Sequence, residues 1–231
     1  MRFLIFIFSL WTAVSALATE NIVVHLDSSN LPIVIIETNG NTIRKDVRIA
    51  ADMQIIWNDD HQRNRVTDTP NNYNGKIGIE LHGQSSLSFT KKSYRIETRD
   101  SSGANLNVSL LGMPKENDWI LYGPYSDKTL MRNVLSYTLA SEISGYAPRT
   151  RFCELIMNRV YVGVYVLTEK IKLDKNRVNI TQMLPGDIAE PEITGGYIFK
   201  KDKTDPGDNI IHLNRGLDLV ITEPKNDEIV P

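Results

Sequence analysis

Three features of this 231-residue chain predict an α+β fold, rich in strands and with one main helix. First, "KIGIELHG" (76–83) and "KKSYRIET" (91–98) alternate apolar and polar residues with the period of two that a half-buried strand imposes. Ile77, Ile79 and Leu81 share one face of the first, and Tyr94 and Ile96 share one face of the second. Second, residues 127–144 carry apolar side chains at helical spacing and stop at Gly145, a helix terminator. Third, strand groups flank that helix in the sequence and do not alternate with helices, which separates α+β from a βαβ fold.

Taken in order, "LPIVIIET" (31–38), a turn at Asn39-Gly40-Asn41 and "TIRKDVRIAADMQIIW" (42–57) read as a strand, a turn and further strands. Residues 58–75 form a polar loop rich in Asn and Asp. "QSSLSFT" separates the two alternating strands, and Gly112 and Pro114 lead to a short strand around 119–122. After the helix, 151–171 reads as a hairpin turning at Asn158-Arg159. Arginine suits the positive φ of a type I′ turn poorly, so a wider loop is expected there. Residues 176–196 read as loop, while "YIFKKD" (197–202) and "GLDLVITEP" (216–224) read as strands. The final residues, 223–231, carry the acidic and proline signals of a helix start, consistent with an interrupted fold or with a natural frayed terminus.

Compartment is read from the start of the chain. Met1-Arg2, the apolar run 3–16 and Ala16-Leu17-Ala18 have the three-part layout of a secretory signal peptide, with cleavage expected after Ala18. The run is shorter than the ~20 residues a spanning helix needs, so no membrane span is expected after cleavage and the protein is expected to be secreted or held at the cell surface. A net charge of −2 lacks the basic footprint of a nucleic-acid binder. Cys153 is the single cysteine, so no internal disulfide forms, and its apolar run "RFCELIM" suits a buried inert thiol. His25, His61, His82 and His212 are scattered, matching neither a cysteine–histidine pair nor a metal signature. Trp57 and Trp119, the tryptophans beyond the signal, make no aromatic platform for a carbohydrate.

The helix start, "YSDKTLMRN" (125–133), is unusually polar. Asp127 suits a helix N-cap or first-turn acid. Arg132 falls on the wheel beside Leu139 and Ile143, inside the apolar arc, so its charge needs a partner or a polar cleft.

Four stretches in register resemble the CotH kinase family, the spore-coat protein H-like atypical kinases: "KIGIELHGQSSLSFTKKSYRIETRD", "LLGMPKENDWILYGPYSDKTLMRNVLSYTLA", "YAPRTRFCELIMNRVYVGVYVLTEKIKLDKNRVNI" and "TGGYIFK". They cover about residues 75–200, and 31–57 looks like the leader of many bacterial members. With the signal peptide read at 1–18, the resemblance divides the rest into a β-rich leader region at 19–74 and the N-terminal, incomplete part of a CotH-like kinase domain at 75–231. It further implies a secreted or surface protein kinase that uses ATP and Mg²⁺ or another divalent metal, acts on a protein substrate and has a two-lobed kinase-like fold. Family members carry their catalytic base and metal-binding aspartates in Asp-x-x-x-x-Asn-like and Trp-Asp-Phe-Asp-like segments, and neither occurs here. They are expected downstream of Pro231, so no catalytic or metal residue is assigned. The chain reads as a strand-rich N-lobe truncated before the catalytic lobe, binding nucleotide but inactive by itself. The alternative is a catalytically silent exported domain for surface or coat assembly or adhesion.

Phosphoryl transfer depends on positioning and charge neutralisation, so cations for the phosphates are sought first. Lys92 shares the Tyr94/Ile96 face, at the lip of an expected core-facing cleft, while Arg95 points the other way. Backbone N–H groups around Ser85 and Ser86 suit a phosphate. The family commonly has arginine before the glycine of that loop, where this chain has His82. Glu169 is expected to pair with Lys92, Arg132 to reach the nucleotide through its bidentate fork, and Tyr125 to stack on an adenine.

Overall fold

Alternation builds one interior. The computed structural model describes residues 25–58, 62–204 and 206–225; the signal-like start and the helix-start signals beyond Lys225 lie outside the described residues. Twelve strands and one α-helix are described: β1 (Ser28–Ser29), β2 (Ile33–Glu37), β3 (Ile49–Ile56), β4 (Asn64–Arg65), β5 (Tyr73–His82), β6 (Ser93–Arg99), β7 (Asp118–Tyr122), α1 (Arg132–Ser144), β8 (Thr150–Met157), β9 (Val160–Glu169), β10 (Ile198–Lys200), β11 (Asn209–Leu213) and β12 (Leu217–Glu223). The fold is α+β, as the strand groups and single helix predict.

Seven strands close into a barrel in the order β2-β3-β5-β6-β7-β9-β8. Neighbours run antiparallel except at the seam, where β2 lies parallel to β8, Ile33 opposite Glu154. Ile77 and Ile79 of β5 and Tyr94 and Ile96 of β6 turn inward to meet Trp119, Leu121, Cys153 and Tyr165. Leu110, Leu111 and Met113 join the same cluster from the segment before β7. Each fully buried aliphatic side chain there contributes roughly 1.5–3 kcal/mol. The boundary expected between residues 74 and 75 falls inside β5, and β2 and β3 are staves of the same barrel. β10, β12 and β11 form a separate three-stranded sheet.

Cys153 is fully buried, and burial pushes its thiol up to about 12, so it is an inert core residue. The β8–β9 turn is not wider than two residues: Met157 pairs with Val160, and Asn158 and Arg159 both take positive φ (50° and 65°). The reason lies in Asn158, whose Oδ1 accepts the Thr38 backbone N–H at 2.8 Å and whose own N–H donates to the Ile36 carbonyl at 2.8 Å. The β2 end thereby holds the turn tight, and Arg159 tolerates a conformation that costs of order 1–2 kcal/mol.

The helix begins at Arg132 and not at Asp127. The Asp127 carboxylate accepts the Thr129 N–H (3.0 Å), the Thr129 hydroxyl (2.7 Å) and the Arg132 N–H (2.9 Å), and Leu130 turns to φ 61°. That acid therefore caps the helix across a preceding turn. No residue of α1 is buried; Leu139 is 52% and Ile143 88% exposed. Among the described residues none covers the apolar arc in which Arg132 sits, and its side chain is 75% exposed with Nε 3.6 Å from Asp127. Gly145, at φ 79°, ends the helix.

Ile96 tests the interior directly. Ile96→Ala should lower unfolding free energy by about 2–5 kcal/mol in urea titrations; a loss under about 1 kcal/mol would contradict a packed barrel core.

Candidate functional site

With the inward faces filled by apolar groups, the intervening residues project outward. Register places Glu80, Arg95, Ile120 and Thr168 side by side across β5, β6, β7 and β9. A cavity of about 940 Å³ is lined by Arg95, Ile120 and Thr168 from this row, by Lys170 and Lys172 just beyond β9, and by Ile198, Lys200 and Thr222 from the small sheet. The 83–86 turn, together with His82, completes one wall. Seven Lys or Arg side chains line the cavity against four Asp or Glu, so its potential is positive.

Beneath this surface lies a row of buried carboxylates. Glu80 accepts from Arg48 at 2.7 Å and Arg95 at 3.1 Å, and Glu97 from Arg48 at 2.7 Å and Arg99 at 2.7 Å. Asp118 faces Lys172 at 2.9 Å and Lys170 at 3.8 Å. Burial would raise the Asp118 carboxyl, but Lys170 and Lys172 outweigh it and hold the group below the usual range. Lys170 moves down from its ordinary value, chiefly through burial and also through Arg95, Lys172 and Arg48, which outweigh the pull of Asp118. A lysine lowered by burial and, further, by neighbouring cations marks a place where an anion is favoured.

Of the residues read from the sequence, Ser85, Ser86 and Glu169 line the cavity, whereas Lys92, Arg132 and Tyr125 do not. The expected Lys92–Glu169 pair is not made. Lys92 donates to the Leu87 carbonyl at 2.6 Å, while Glu169, fully buried, accepts the Arg149 backbone N–H at 3.0 Å and the Arg149 guanidinium at 2.9 Å. The physical reason is one of faces: the cleft lies outside the barrel, so Arg95 enters it and the Tyr94/Ile96 side of β6 does not. Tyr125 is already stacked on Phe89, with centroids 4.9 Å apart, and Lys128 Nζ lies 4.7 Å from its ring.

Ser85 and Ser86 open a single 3₁₀ turn, Ser85–Ser88. Gly83 precedes it at φ 102°, and a Cβ there would collide with Ser86 Oγ, so only glycine fits. Ser85 Oγ accepts from Lys203 Nζ at 2.9 Å, linking this turn to the segment after β10. Sequence reading missed Arg95, Lys170, Lys172 and Lys200. The alternation of β6 already showed Arg95 opposite the apolar face, and the charges of "EKIK" marked the β9 exit.

His82, on the outward face of β5, is pushed down to about 4 by burial first and then by Arg95 and Lys170, with Glu80 and Asp202 opposing. A histidine neutral in the fold and protonated when unfolded makes stability fall as pH drops below about 6.5 towards 4. Melting temperatures across that window should fall more steeply for wild type than for His82→Gln; parallel curves would refute this account of His82.

No curated protein matches the chain. Residues 79–218, which run from β5 into β12 and include most of the cavity wall, match the CotH kinase protein family. That span exceeds half of the chain, and the protein belongs to the CotH kinase family.

Proposed function

We propose that the cleft binds the phosphate groups of a nucleotide, ATP by the family's chemistry, as the nucleotide-binding part of a secreted CotH-type protein kinase. The observation that carries this reading is the convergence of Arg95, Lys170 and Lys172 on one cavity, where burial first, and then Arg95 and Lys172, lower Lys170. A polyphosphate relieves that mutual repulsion, whereas a neutral ligand does not. Lys200 and Lys203 bring further positive charge from the small-sheet side, and the Ser85–Ser86 turn supplies polar groups opposite.

The divalent metal that the family uses fits these residues poorly. Among the described residues no group of three or more His, Cys, Asp or Glu side chains is placed to hold a metal ion. Of the four acids in the cavity wall, Glu169 is held by Arg149. We propose nucleotide binding without turnover for this chain. The signal-like residues 1–18 support an exported protein, and among the described residues no helix is long and apolar enough to cross a membrane.

Calorimetric titration with ATP should show binding that weakens as salt screens the cleft. Lys170→Ala and Arg95→Ala should each weaken it roughly 10- to 100-fold, the range for a lost charged hydrogen bond. Unchanged affinity in both variants would remove the cleft from the reading. No ATP binding by the wild type would favour the silent exported domain.

A further inference from the structure

Arg177 lies in a stretch that reads as loop, yet its side chain is fully buried. Its guanidinium donates through one terminal nitrogen to the Lys170 carbonyl at 2.7 Å and through the other to the Asp118 carbonyl at 2.9 Å. It also lies 3.3 Å from Glu116 and 3.9 Å from Glu169, and 5.2 Å from the Trp119 ring centroid. Such a plane of donors can tie β7, the end of β9 and the 170–178 loop to one point.

We propose that Arg177 is the positioning residue of the cleft: it holds the backbone of 170–172 in place and neutralises the inner carboxylates, so that the Lys170 ammonium faces the cavity. This inference rests on the anion-binding reading above. Three acids (Glu116, Asp118, Glu169) meet four cations (Arg149, Arg177, Lys170, Lys172) in this network. With Arg177 in place, Lys170 is left 3.8 Å from Asp118 and free to turn to a ligand. Without the fork, Glu116 is left to Lys172 at 3.0 Å and Glu169 to Arg149 at 2.9 Å, and the Lys170 carbonyl loses the donor that fixes it. A lysine at 177 would keep the charge but could not reach both carbonyls and a carboxylate together.

The test uses the full chain carrying Arg177→Lys, with Glu116→Gln as a second variant that removes one group the fork holds. Amide hydrogen exchange should quicken within 170–178 while β5 and β6 stay as in wild type. Affinity for ATP should fall on the order of 10- to 100-fold, as a small displacement of charged groups can cause. Affinity for adenosine, followed by ligand-observed NMR, should be unchanged. Equal loss of ATP and adenosine, or unchanged ATP affinity, overturns the proposal. Should Arg177→Lys lose the native melting transition, the same comparisons on Glu116→Gln decide it. If the wild type binds no ATP, the nucleotide reading fails separately, and unchanged exchange at 170–178 in the variant overturns the positioning role.

Discussion

Barrel closure is the constraint on which the rest depends. Seven strands that meet at a β2–β8 seam share one interior, and a period of two lets each strand offer only alternate residues to it. Once Ile77, Ile79, Ile96, Leu121 and Leu167 have filled that interior, Glu80, Arg95, Glu97 and Asp118 fall on the alternate, outward positions of the same strands, while Glu169, opposite Trp119, is buried at the end of β9. The cleft is therefore on the outer surface, between the β5–β6–β7–β9 wall and residues of the small sheet, and its chemistry comes from the side of each strand that a core analysis discards.

That outer wall is costly to build. Glu80, Glu97 and Asp118 are buried carboxylates, and an unpaired charge in such a place is very unfavourable. Each faces cations within ion-pair distance, and Arg48 serves two of them at 2.7 Å each. The pairing is weak evidence for stability in itself, because desolvation offsets much of the Coulombic gain. Its consequence is spatial: the carboxylates sit under the surface, the cations sit above, and the cavity sees the cations. His82 lines the same cavity and is lowered by burial first and then by Arg95 and Lys170, in keeping with that placement.

Much of the scaffold was legible in the sequence. The inward faces of β5 and β6, the buried thiol of Cys153 and the helix stop at Gly145 follow from alternation, burial preference and glycine's freedom at positive φ. Family membership was equally legible, from four stretches in order. Long-range closure was not: nothing local to Ile33 says that it pairs with Glu154. The exposure of the apolar face of α1 among the described residues was hidden too, since a helical period shows which residues share a face and not whether anything packs on it. Placing Lys92 in the cleft came from assuming that the ligand site lies on the core side of β6.

Arg132 and Arg177 show why charge on an apolar background is ambiguous until contacts are known. Both stand where sequence reading expects an arginine to need a partner or to lie in a loop. Arg132, in the apolar arc of α1, remains largely in solvent, and its ion pair with Asp127 at 3.6 Å is of the exposed kind that contributes little. Arg177, in an irregular segment, is the one withdrawn from water, with two carbonyls and two carboxylates around it. The difference comes from the packing around each side chain: Trp119 and the end of β9 enclose Arg177, whereas no residue of α1 is buried. Desolvation, more than position in a motif, decides which arginine organises the cleft.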